Sequence, residues 1–335
     1  MASAARRAIA ATRLFLRYGA AAVRLQADRR ASLVLRYHAI GEPERVASYV
    51  SPGISLTAQR FREHVGFLTS RYAVIDLDEA VRRAREGRAP GTRPGVVLTF
   101  DDGYLDNLIG ALPVLSEFGA TATIYVVSGA VHPGPPIWTM RLRRMLHDSN
   151  GARGRCPAPI PVPAETPEER AAAARPITRW LRGLPRIERE SALSRIATWL
   201  GAPHGEPEPV MMNAAQLREL DAAGITVGAH TVSHPLLTAV PVDEAEREIR
   251  DSKDELESIL GRPVRHFSYP NPGSGRHENP TIRELVRHAG YATAATSLDG
   301  LVTRQSDAYA IRRLGINAGT QERLLFRILE RVTPR

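Results

Sequence analysis

Two aspartates stand side by side in "VVLTFDDG", residues 96 to 103, directly behind an apolar and β-branched run. Adjacent carboxylates each raise the cost of ionising the other. At the end of a buried strand, such a pair calls for a positive neighbour. Two histidines four residues apart, His230 and His234 in "HTVSH", follow another apolar run, "ITVGA". A third histidine, His38, follows "LVLRY". Two imidazoles and one carboxylate from separate strand ends suffice to hold a divalent cation and leave room for water. A cation of that kind lowers the pKa of its water to about 7. One aspartate then has a role as ligand, and the other lies within reach of the water as a base. Each piece has a plainer reading. Asp-Gly sequences favour turns, a His-x-x-x-His pair also suits surface or core histidines, and His38 also reads as a buried structural histidine. The metal reading is the more specific because independent strand ends must agree.

These residues need elements to position them. Short apolar runs at 33–37, 73–77, 96–100, 121–127, 225–229, 264–269, 291–296 and 310–316 read as strands. Helical patterns lie between them, with Thr57, Asp78, Asn213 and Asn279-Pro280 as starts and Gly87, Gly261 and Gly290 as stops. Strand and helix alternating in this way predict an α/β fold with a parallel sheet, a (β/α) barrel or an open doubly wound sheet. In a barrel the chemistry sits at the C-terminal strand ends, where the aspartates and histidines fall. Residues 132–212 break the rhythm with "HPGPP" and "CPAPIPVPAETPEE", then helix-forming residues. They read as an inserted helical and Pro-rich lobe, either a cap over a groove or a surface decoration. The organisation expected is a leading segment, 1–30, and a barrel domain, 31–335, carrying that insertion.

The chain has 335 residues, a formal net charge of +9 and a pI near 10.2. Lys253 is the single lysine, so the positive charge is arginine. Such a balance suits anionic partners, although the arginines are scattered and no nucleic-acid-binding module is visible. Cys156 is the single cysteine, which excludes an intrachain disulfide. In the leading segment, Arg6, Arg13, Arg17 and Arg24 align on one helical face. That pattern reads as a basic amphipathic helix on an acidic membrane surface, as a transit peptide, or as a solvated helix packed on the domain. No apolar stretch reaches the length of a signal-peptide core or a membrane span, so a cytoplasmic chain is expected, with peripheral membrane contact through 1–30 as one of these three readings.

"TFDDG", "HTVSH" and "HFSYPNPG" resemble the first three motifs of the polysaccharide deacetylases, also called the NodB-homology or carbohydrate esterase family four group. "RYHAIG" and "TATIYVV" resemble one subgroup of it. The resemblance covers roughly residues 31–317, with 132–212 poorly matched. It implies a distorted (β/α) barrel that removes acetyl from N-acetylated sugars with a divalent metal, usually zinc, with cobalt, nickel or manganese as other occupants. By position it implies Asp101 as general base and Asp102, His230 and His234 as metal ligands. The Asn271 backbone N–H becomes an oxyanion donor. Tyr104, Tyr269, Pro270 and Arg312 are the expected substrate contacts, and Arg312 and Asp299 are candidates to orient Asp101. Two departures stand out. Ser268 occupies a place where the family has arginine, and no histidine follows His288 to serve as the family's usual acid. His38 is the candidate substitute. The expected partner is an N-acetylated glycan, or a lipid-linked or nucleotide-linked glycan precursor. A catalytically weakened carbohydrate-binding protein, an iron(II)-oxygen enzyme and a nucleic-acid binder are the competing readings.

Overall fold

The computed structural model describes residues 16, 18–42, 46–149, 156–159, 164–201, 210–270, 277–316 and 319–332. Its strands are β1 (Ser32–Tyr37), β2 (Ala39–Ile40), β3 (Ser55–Leu56), β4 (Ala73–Val74), β5 (Gly95–Phe100), β6 (Thr123–Val126), β7 (Thr226–Ala229), β8 (His266–Ser268), β9 (Thr293–Ala295), β10 (Leu301–Val302) and β11 (Leu314–Gly315). The main sheet runs β10-β1-β5-β6-β7-β8-β9. From β1 to β9 every neighbouring pair is parallel. The sheet then curls back on itself. Ala295 of β9 bridges Ile311, and β11 pairs with the upper half of β1, Leu35 opposite Leu314 and Arg36 opposite Gly315. The result is a distorted (β/α) barrel, one of the two forms that the alternation allowed and the one that the resemblance implied.

The helices are α1 (Ala58–Arg71), α2 (Leu77–Glu86), α3 (Leu112–Glu117), α4 (Trp138–Asp148), α5 (Pro167–Arg182), α6 (Arg186–Leu200), α7 (Ala214–Ala222), α8 (Val242–Leu260), α9 (Pro280–His288) and α10 (Thr320–Val332). Their starts are chemically determined. Thr57 accepts from the Arg60 N–H, and Asn213 and Gln216 cap each other's backbone. Asn279 accepts from the Ile282 N–H ahead of Pro280. The cap of α2 is Asp76, not Asp78. Its carboxylate accepts from Glu79 N–H at 2.7 Å, which cuts the expected strand 73–77 to two residues.

The period of two along the strands divides the molecule. Leu33, Leu35, Tyr37, Val96, Leu98 and Phe100 face outward into a layer with Phe61, Val65 and Leu68 of α1. Each such side chain, fully buried, contributes roughly 1.5–3 kcal/mol relative to exposure, and that layer fixes the strands. Val34, Val97, Tyr125, Ala295 and Ile311 face inward and meet Leu77, Ala80 and Ala84 of α2, an apolar plug. The same inward parity, continued along the chain, belongs to Arg36, His38, Thr99, Asp101 and Arg313.

The inserted lobe has its own core, with Trp138, Leu142, Leu146, Ile177, Leu181, Leu193, Ile196 and Trp199. That core is continuous with Tyr104 and Met211 beside the first motif. Of the leading segment, residues 18–27 are helical and bury Tyr18, Ala22 and Leu25 in the main core, while Leu16 and Val23 are exposed. Arg6, Arg13 and Arg17 lie outside the described residues. Among the described residues, no helix is long and apolar enough to cross a membrane.

Candidate metal centre

One ligand atom each from Asp102, His230 and His234 lie within 4.8 Å of one another, and all three residues are buried. Asp102 Oδ1 is 3.6 Å from His230 Nε2 and 3.3 Å from His234 Nε2. The backing of these atoms is directional. His230 Nδ1 donates to the Ser268 carbonyl at 2.6 Å, which leaves Nε2 as the unprotonated nitrogen. The Tyr104 hydroxyl donates to Asp102 Oδ2 at 2.7 Å, leaving Oδ1 for the centre. Burial pushes the His230 pKa down to about 4, so the ring is neutral, the form that binds metal. Burial alone would raise Asp102, but the hydrogen bond and charge of His234 outweigh it and hold the carboxyl well below its usual range. Two imidazole nitrogens and one carboxylate oxygen, converging in this way, fit a divalent cation of the zinc type. The turn that delivers Asp102 is a sharp one. Asp102 has φ 81° and Gly103 φ 79°, and a Cβ at 103 would lie 3.1 Å from Val126.

Asp101, the neighbouring carboxylate, sits in a clamp. Arg313 Nη1 donates to Asp101 Oδ1 at 2.7 Å and Nη2 donates to Oδ2 at 2.9 Å. The guanidinium is fully buried. It also donates to Ser268 Oγ at 2.8 Å, to the Thr296 carbonyl at 2.9 Å and to Thr99 Oγ1 at 3.3 Å, and it lies over the Tyr125 ring. Burial works against the Asp101 charge, yet the Arg313 guanidinium holds the carboxyl far below its usual range. Sequence reading expected Arg312 near Asp101, and this is corrected. Arg312 is exposed and donates to the Asp299 carbonyl at 3.3 Å. The physical reason is the strand period. Ile311 faces the barrel interior, so 313 does and 312 does not. Although position 268 holds serine, a guanidinium still reaches Asp101, that of Arg313, which also bonds Ser268.

His38 ends β1 on the same inward face. It is part-buried, its carbonyl accepts from Asn107 Nδ2 at 2.7 Å, and its Nδ1 has no hydrogen-bond partner among the described residues. Burial pushes its pKa down to about 4, against the opposing charges of Asp102 and Asp101. Arg36, one inward step before it, was missed. It bonds Ser297 Oγ, and burial and Arg313 together lower its pKa. Tyr104, expected to touch substrate, instead orients Asp102. Tyr269 is fully buried in the core. Its hydroxyl donates to the Tyr309 carbonyl at 2.9 Å and its ring packs on Phe267 and His277, so it is not a cleft residue. Pro270 is buried, Asp299 is part-buried, and Asn271 lies outside the described residues.

Comparison with known proteins bears on the family and the fold. The polysaccharide deacetylase family model matches residues 88–149 and 195–294, the break falling inside the inserted lobe. YxkH of Bacillus subtilis (strain 168), a protein named for the same family, is 22% identical over 289 residues, spanning 85% of this chain and 71% of that protein. Among solved structures, the Streptococcus pyogenes deacetylase PplD, in complex with acetate, superposes with a TM-score of 0.59 at 18% identity, covering 89% of this chain and 98% of that one. IcaB from Ammonifex degensii gives 0.57 at 18% identity, covering 91% and 98%. At these identities the structures establish the fold, and the family match rests on the motif-bearing segments. This chain belongs to the polysaccharide deacetylase family.

Proposed function

We propose that the protein hydrolyses the acetamide of an N-acetylhexosamine unit in a glycan or glycan precursor, with a divalent metal, zinc first among the candidates. One observation supports this above the others: Asp102, His230 and His234 converge, with the outer atoms of Asp102 and His230 already engaged. When bound, the cation supplies Lewis acidity toward the acyl carbonyl and makes water more acidic. Asp102, His230 and His234 hold it. Asp101, kept ionised by Arg313, takes the proton of the attacking water. Asn271 N–H is assigned to the developing oxyanion; a donor in such a place contributes about 2.7–4 kcal/mol. His38 is assigned the proton delivered to the leaving nitrogen. With its pKa near 4 it starts the reaction neutral, so it must first receive the proton that it gives. Slow turnover of unactivated amides follows.

A second reading is a catalytically weakened carbohydrate-binding protein on the same barrel. The clamp on Asp101 favours it, because a carboxylate with both oxygens held by a guanidinium is a weak base. Acetate release from N-acetylglucosamine oligomers with added zinc or cobalt separates the two. Release by the wild type, lost in Asp101→Asn while metal is still bound, supports the hydrolase. Sugar binding with no acetate release at any metal loading supports the second reading.

A further inference from the structure

Among the described residues, three other than glycine have positive φ, and all belong to the centre: Asp102 (81°), Thr231 (68°) and His234 (57°). Such backbone is strained and persists only where surroundings enforce it. Threonine is β-branched and especially poor there. The segment 230–234 is therefore held from outside, and the holders can be enumerated. Glu248 of α8 accepts from Val232 N–H at 2.9 Å and Ser233 N–H at 2.7 Å. Thr231 Oγ1 accepts from His234 N–H at 3.0 Å. Ser128 N–H and Gly129 N–H, just past β6, donate to the Thr231 and Val232 carbonyls.

The last two carbonyls are held by the inserted lobe. Arg189 of α6, fully buried, donates through Nη2 to Ser233 Oγ at 2.9 Å and to the Ser233 carbonyl at 3.4 Å. Trp138, the first residue of α4, donates from Nε1 to the His234 carbonyl at 2.9 Å. The Arg189 guanidinium lies 5.6 Å from the Trp138 ring centroid, so the two donors brace each other. The histidines differ in what fixes their rings. His230 is fixed through its side chain, by the Ser268 carbonyl. His234 Nδ1 is buried and has no hydrogen-bond partner among the described residues, so the aim of that ring depends on its backbone.

We infer that the inserted lobe is part of the metal-binding apparatus: Trp138 and Arg189 are positioning residues that hold His234 in ligand geometry and thereby set metal affinity. This rests on the reading of Asp102, His230 and His234 as a metal site. Partners one step behind metal ligands typically change affinity about 10–100-fold when removed.

The test is titration of metal-free full-length protein with cobalt(II), followed by the visible ligand-field spectrum, and with zinc by competition. Wild type, Trp138→Phe, Arg189→Lys, Arg189→Met and Trp199→Phe are compared, and the melting temperature of each metal-free protein is recorded. Trp199 is packed in the lobe core, so its variant reports loosening of that core. The expected result is affinity about 10-fold or more weaker and an altered cobalt spectrum in Trp138→Phe and Arg189→Met. Arg189→Lys is expected to recover part of the loss, and Trp199→Phe to keep wild-type affinity. Wild-type affinity and spectrum in Trp138→Phe and Arg189→Met overturn the inference, and so does an equal loss in Trp199→Phe. If Arg189→Met does not fold, Trp138→Phe and Arg189→Lys decide. If the wild type itself binds no cobalt or zinc stoichiometrically, the metal-site reading fails, and the inference with it.

Discussion

Replacing Arg313 by methionine removes a buried guanidinium and leaves Asp101 buried with no cation on either oxygen. Breaking a buried pair from one side costs about 3–5 kcal/mol, because the surviving charge stays in place without its partner. Domains of about 150–250 residues shift by roughly 2–4 °C per kcal/mol, which puts Arg313→Met ~6–20 °C below the wild type, toward the low end for a longer chain. Asp101→Leu strands the opposite charge and is expected to cost a similar amount. The double variant has no charge to strand, and pairs replaced on both sides are often neutral or better. Its melting temperature should therefore lie well above the sum of the two losses, a coupling of about 2–3 kcal/mol, the upper part of the range for residues in one network. Thermal unfolding by circular dichroism measures all four corners, with acetate release alongside. Arg313→Lys, which offers one point in place of a fork, should keep part of the stability and lose most of the activity. Strictly additive losses in the double variant, or single variants within about 0.5 kcal/mol of wild type as for an ordinary surface change, would refute the clamp.

Tyr104→Phe removes the hydrogen bond to Asp102 Oδ2 and should weaken zinc or cobalt binding about 10-fold with little change in melting temperature; isothermal titration reads it, and unchanged affinity would count against the orienting role. The proton delivered by His38 is scarce at neutral pH, so kcat/KM for a series of N-acetyl amides should climb as the leaving amine becomes more acidic, and a flat series would remove His38 as the limiting donor. His64 and Glu322 join α1 to α10 at 2.6 Å, with Arg60 on the same carboxylate at 2.7 Å. Burial lowers His64 from its ordinary 6.5; burial raises Glu322, but His64 and Arg60 bring it below its ordinary 4.5. Both groups are protonated more readily in the unfolded chain, so their stabilisation is present above pH 6.5 and lost progressively below it, more steeply below 4.5. Glu322→Gln should lower the melting temperature at neutral pH and flatten its acid slope; parallel curves would show that the pair does not carry the pH dependence.

The alternation of apolar runs and capped helices settled the fold class, because a parallel strand buried on both faces needs a continuous apolar run and its helix needs a cap, and both are local. Asp101, Asp102, His230 and His234 were legible for a related reason: each follows a readable strand, and strand ends in a barrel share one rim. What stayed illegible depended on tertiary packing and on the direction of turns. That Arg313 and not Arg312 faces Asp101 was settled by the sheet curling back through Ile311, which sets the parity of β11. That Tyr104 serves Asp102, and that Tyr269 lies in the core with its hydroxyl on Tyr309, depends on turns whose direction no local pattern encodes. The lobe of residues 132–212 read equally as cap or decoration. Only packing brought Trp138 and Arg189 against the second histidine motif, since their own neighbours in sequence dictate a helix and nothing about what that helix touches.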